Sequence, residues 1–80
     1  MSEFNCVKDD DYILYELKCN KDIYIEEINE YRISKKVYLV HNHRTSETFP
    51  LGKFYKSLKV AMNKALQIYK KDIKWNFQNL

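Results

Sequence analysis

The chain predicts an α+β fold: an antiparallel sheet of three to four strands, then one long C-terminal helix packed on one face. Three observations carry this prediction. Apolar residues alternate with a period of two in the first half, a period near 3.6 takes over from Leu58, and Pro50 and Gly52 fall between the two regimes. Laying the apolar arc of the helix across one sheet face buries both in a two-layer sandwich. Eighty residues allow a single domain, residues 1–80. A composition that is 45% hydrophobic and 31% charged, with one glycine and one proline, excludes a disordered tail, a flexible linker and a collagen-like chain.

Residues 1–10 are acidic and without period, and read as an N-terminal arm. Residues 11–51 carry the sheet. From Tyr12 to Cys19, Ile13, Tyr15, Leu17 and Cys19 share one side, which argues for a strand. Asn20-Lys21 suits a two-residue turn, and Asp22 to Ile28 resumes β character. Residues 25–33 fit a strand or a short helix, and strand is preferred because Tyr and Ile dominate. Lys36 to Asn42 is a short apolar run with polar flanks, Arg44 to Glu47 a turn, and Thr48-Phe49 a short returning strand.

The helix is expected over residues 56–74, with 75–80 a tail or an extension of it. Ser57 is placed to cap it. At 100° per residue, Leu58, Ala61, Met62, Ala65, Leu66, Ile68, Tyr69 and Ile73 fall on one arc. The expected core is Ile13, Leu17, Ile25, Val37, Leu39, Leu58, Ala61, Ala65 and Leu66.

The net charge of +3 conceals a division along the chain. Residues 1–34 hold four basic and nine acidic side chains, a net of −5, and residues 35–80 hold ten basic and two acidic, a net of +8. The second half is the one to attract phosphate. On the polar arc of the helix, Lys59, Lys64, Lys70, Lys71 and Lys74 lie with Asn63 and Gln67. Surface helices usually alternate Glu with Lys at i,i+4, and this arc forgoes that stabilisation. A solvated lysine face is the competing reading. With Lys35, Lys36 and Arg44, these residues form the candidate nucleic-acid surface, expected to grip phosphates with weak sequence preference.

Seven tyrosines and one tryptophan supply a second signal. Tyr12, Tyr24, Tyr31, Tyr38 and Trp75 are candidates for a protein interface or for stacking on bases, with packing of the small core as the alternative. His41 and His43, with Arg44 and Tyr38, form a weak acid–base set that a small metal-independent ribonuclease would use. Two imidazoles alone do not make a metal site. Cys6 and Cys19 lack metal or redox spacing, and Asp9-Asp10-Asp11 reads as a solvated acidic run. No phosphate loop, dinucleotide fingerprint or nucleophile elbow is present, so no cofactor, no metal and no catalysis are expected.

Val37-Tyr38-Leu39-Val40, followed by Phe54-Tyr55-Lys56-Ser57-Leu58-Lys59-Val60-Ala61, resembles the ending of compact β-β-β-α DNA-binding modules. Tyrosine-recombinase arm-binding domains and plant AP2 domains share that order. In those families an Arg- and Gly-rich sheet contacts the bases, whereas Arg32 and Arg44 are the only arginines here, so membership is not claimed.

The first expectation is therefore a non-enzymatic nucleic-acid-binding module. The second is a phage or mobile-element inhibitor that docks onto a host or defence protein. Amino acids with AT-rich codons (Phe, Tyr, Met, Ile, Asn and Lys) fill 39 of the 80 positions, in keeping with such an origin. Homodimerisation through a sheet edge suits either. Met1 to Asn5 has no basic region leading into an apolar stretch, and the apolar run Val37 to Val40 falls far short of the ~20 residues of a membrane span. The expected location is the cytoplasm, that of the host if the chain is phage-encoded.

Overall fold

The computed structural model describes residues 3–30 and 35–78, the side chains of residues 30 and 74–78 excepted. Five strands, β1 (Phe4–Lys8), β2 (Ile13–Leu17), β3 (Ile23–Glu30), β4 (Lys35–Asn42) and β5 (Glu47–Phe49), precede one helix, α1 (Leu58–Gln78). The strands form one antiparallel meander in chain order. The helix lies over β3 and β4, giving the expected two-layer packing.

One strand more is present than the sequence suggested, because Phe4–Lys8 is β1 and not part of an arm. Only Phe4 is buried there, while Asn5, Cys6 and Lys8 are exposed. This strand is held mainly by backbone pairing with β2, from Phe4↔Leu17 to Lys8↔Ile13, so it leaves little hydrophobic alternation to read. The ambiguous stretch resolves as strand through Glu30, and residues 31–34 lie outside the described residues. The expected two-residue turn at Asn20-Lys21 is a longer connection in which Asn20 Oδ1 accepts from the Asp22 amide at 3.1 Å. After β5, Gly52 sits at φ 71°, a backbone region that glycine enters without a Cβ penalty. The chain then rejoins β4 through paired backbone bonds between Tyr38 and Tyr55.

Strand register fixes which residues face the helix. Cys6, Tyr15, Ile25, Val40 and Phe49 form one cross-strand row on that side, and Ile13, Glu27 and Tyr38 form another. The core joins Phe4, Leu17, Ile23, Ile25, Tyr38 and Val40 of the sheet to Ala61, Ala65 and Ile68 of the helix. The two alanines let the helix approach the sheet closely, so the branched residues beneath it are fully buried.

The expected core was out of phase in β4. Val37 and Leu39 point to the opposite sheet face, where Val37 is nonetheless buried at 2% exposure and Leu39 half-buried, and Tyr38, Val40 and Asn42 turn toward the helix. In a run where every residue is apolar, alternation gives no phase. Ser57 does begin the helix: its carbonyl accepts from the Ala61 amide at 3.1 Å, and its Oγ lies at the long distance of 3.5 Å from the Val60 amide. The helix runs four residues past the expected end at 74, since nothing stops it before Gln78. By Asp72 it has reached Asn42, the last residue of β4, and Ile73, expected on the buried arc, is 42% exposed. No described helix is long and apolar enough to cross a membrane.

Candidate nucleic-acid interface

The outward arc of α1 carries its basic residues much as the periodicity predicts. Lys59, Asn63, Gln67, Lys70 and Lys71 are exposed and Lys64 is half-buried. No carboxylate interrupts this arc among the described residues. The side chain of Lys74 lies outside the described residues. Lys64 Nζ sits 4.8 Å from the centre of the Phe49 ring, a cation–π contact that holds one ammonium against the end of β5.

One flank of the arc forms a groove of about 380 Å³ against the β4–β5 turn, where Arg44, Lys64, Gln67 and Lys71 meet. Asn42 and Asp72 form its floor. Asn42 is 1% exposed, its Nδ2 donates to Asp72 at 3.2 Å, and its Oδ1 accepts from the Arg44 amide at 3.2 Å. Arg44 Nη2 lies 2.8 Å from the other Asp72 carboxylate oxygen. One buried amide thus satisfies both the turn and the helix, and Asp72 pins the guanidinium at the groove's rim. Asp72 and Glu47 also offset part of the charge. The groove draws its surplus positive charge from Lys64 and Lys71 more than from Arg44.

Sequence reading missed Asp72 and Asn42. The signal was present for Asp72, which shares the buried arc with Ala61, Ala65 and Ile68 at helical spacing. A carboxylate placed there needs a buried partner.

Lys35 and Lys36 are not brought to this groove. They open β4, whereas Arg44 follows its end, and the strand alone spans roughly 23 Å from Lys35 to Asn42. Lys36 is instead 3.8 Å from Glu27, whose side chain is only 5% exposed. Glu27 also accepts from the Tyr15 hydroxyl at 3.1 Å. Burial, then the charge and hydrogen bond of Glu27, pushes the Tyr15 phenol from 10.0 up to about 12. The same causes in the same order raise Tyr38.

The candidate interface aromatics scatter. Tyr38 is a core residue, 9% exposed, because its strand phase points it at the helix. Tyr12 lies 43% exposed in the β1–β2 turn. Tyr24 stands on the face away from the helix and stacks on His41, ring centres 4.9 Å apart. Tyr31 and the Trp75 side chain lie outside the described residues.

The acid–base set does not converge either. His41 and Tyr38 occupy opposite sheet faces, and His43 and Arg44 are exposed in the turn beyond. His41 is held on both sides, with Nε2 2.9 Å from Glu26 and Nδ1 3.0 Å from Thr48. An ionised carboxylate only accepts, so Nε2 carries the proton toward Glu26, and in the neutral ring Nδ1 accepts from the Thr48 hydroxyl. Cys6 and Cys19 are free and exposed, and the described residues contain no cluster of three or more metal-binding side chains.

No protein-family model, curated protein or solved structure matches this chain. The functional reading therefore rests on the geometry alone. On the face that would read bases in the DNA-binding modules resembled above, the chain carries Glu16 and Glu26.

Proposed function

We propose that the protein is a non-enzymatic binding module that grips the phosphate backbone of nucleic acid with the outward face of α1. The observation that carries this reading is the arc of Lys59, Asn63, Lys64, Gln67, Lys70 and Lys71, which holds the exposed Val60 but no carboxylate and is flanked by Arg44 across the groove. Four lysines on an exposed arc replace condensed counterions around the polymer, and their release drives binding. Asn63 and Gln67 add donors to phosphate or sugar oxygens without reading sequence. Lysine is a flexible point charge, so contacts of this kind position the module more than they specify a site.

The reading is tested by reversing charge at Lys64 and Lys71 together, both of which lie outside the fully buried core. The double Lys→Glu variant is expected to bind labelled DNA and RNA at least tenfold more weakly at low salt, with its circular dichroism unchanged. A folded variant of undiminished affinity would remove the helix face from consideration.

A further inference from the structure

The second face of the sheet is a separate surface with opposite chemistry. Register sets the half-buried Val7, Leu14, Glu26 and Leu39 side by side across β1 to β4, with half-buried Ile28 next to Val37, which is itself buried at 2% exposure. The uncovered face of an antiparallel sheet is ordinarily polar, giving a hydrophobic-in, polar-out alternation. Here it carries a band of branched apolar residues, and the helix packs on the other side. Beyond Leu39 the band continues into an apolar cleft of about 330 Å³ with Pro50, Leu51 and Phe54. Leu51 is 85% and Phe54 42% exposed, which leaves large apolar side chains in water.

Most of the charges around this band are acidic. Glu16 lies in the next row beside Tyr24 and His41, and Glu26 sits within the band. Glu26 is fixed by its 2.9 Å contact with His41, while its side chain stays 39% exposed. At the β1–β2 end, Glu26 and Ile28 share a second hollow of about 330 Å³ with Asp9, Asp10 and Asp11. Among the described residues, two cations stand at its margins, Lys35 at the start of β4 and Lys53 in the lining of the apolar cleft.

We infer that this face docks a partner protein whose contact surface presents apolar side chains ringed by Lys or Arg. Apolar contact over Leu14, Ile28 and Leu39 supplies the burial, and a cationic rim matches Glu16, Glu26 and the aspartates. The same charges oppose the other occupants. Nucleic-acid phosphates are repelled, and a second copy stacked face to face about a two-fold axis sets this acidic surface against itself.

The test presents the full chain with a library of random displayed peptides, selected at physiological salt and mapped by amide chemical shifts on the labelled protein. Selected sequences are expected to combine Leu, Ile or aromatic residues with Lys or Arg, and to shift the Leu14, Glu26, Ile28 and Leu39 amides. Glu16→Lys and Leu14→Ser, each checked for unchanged circular dichroism, should each weaken those peptides about tenfold. The Lys64→Glu/Lys71→Glu variant should bind them as the wild type does, which separates this surface from the helix face. Selection of acidic peptides, shifts confined to α1, no enrichment at all, or dimerisation through this face in sedimentation would each overturn the inference.

Discussion

Asn42 is the residue on which the largest single effect is expected. It is buried, and both ends of its amide are used, one by Asp72 of the helix and one by the turn backbone at Arg44. Removing Asp72 leaves a buried donor without an acceptor, so Asp72→Ala is expected to cost about 1–3 kcal/mol in chemical denaturation. Arg44→Ala removes only the ion-pair partner, whose side chain is 43% exposed, and should cost less than about 1 kcal/mol. Equal losses would show that the ion pair, not the buried amide, ties the turn to the helix. Tyr15 gives a pH signature. Its folded-state phenol is raised from 10.0 to about 12 by burial first and Glu27 second, so the folded chain holds that proton more tightly than the unfolded chain. The associated stability is complete below pH 10 and is lost as the pH climbs toward 12. Denaturation midpoints for Tyr15→Phe should fall less steeply over that window than those of the wild type, with the remaining slope due partly to the raised Tyr38 and Tyr55.

At the scale of elements, the helix was legible and the sheet only in part. A 3.6 period over many residues identifies α1 because each turn repeats the same test, and Lys59, Lys70 and Lys71 fall outward as read, with Lys64 half-buried on the same arc. Strand β4 was located almost to the residue, yet its phase was lost, since Val37 to Val40 offers no polar residue to mark the outer face. That error left Tyr38 and Val40 out of the core and put the half-buried Leu39 in it, while Val37 is buried as expected but on the other sheet face, and it made a buried tyrosine a candidate for an interface. Strand β1 was invisible because edge strands draw more on pairing than on burial. The grouping of Lys35 and Lys36 with Arg44 failed for a related reason: neighbours within one strand lie at its two ends, and sequence proximity says little about distance along an extended chain. The groove's two acids make a further prediction at this scale. Glu47→Gln removes an exposed negative charge beside Lys64 and Arg44. It should strengthen nucleic-acid binding about two- to threefold at low salt, an effect that salt screens away. A weaker complex in anisotropy titrations would mean that Glu47 assists binding rather than opposing it.

For the whole molecule, the division of charge along the sequence becomes a division in space. The acidic first half builds β1 to β3, and the basic second half supplies β4, β5 and the helix. Because the helix covers one sheet face, its lysine arc and the Glu16–Glu26 face point in opposite directions, so the chain presents a cationic side and an acidic, apolar side. The separation in sequence was plain; that it maps onto two opposite surfaces required the register. Nucleic-acid binding through the helix is the central claim, and the salt dependence of affinity tests it most directly. Fluorescence anisotropy of labelled single- and double-stranded DNA and RNA, titrated with the full chain across a salt series, should give a log–log slope of about −3 to −5, as four or five cations displace counterions. Absence of binding even at low salt, or an affinity indifferent to salt, would contradict the account and leave the lysine arc as a solvated surface.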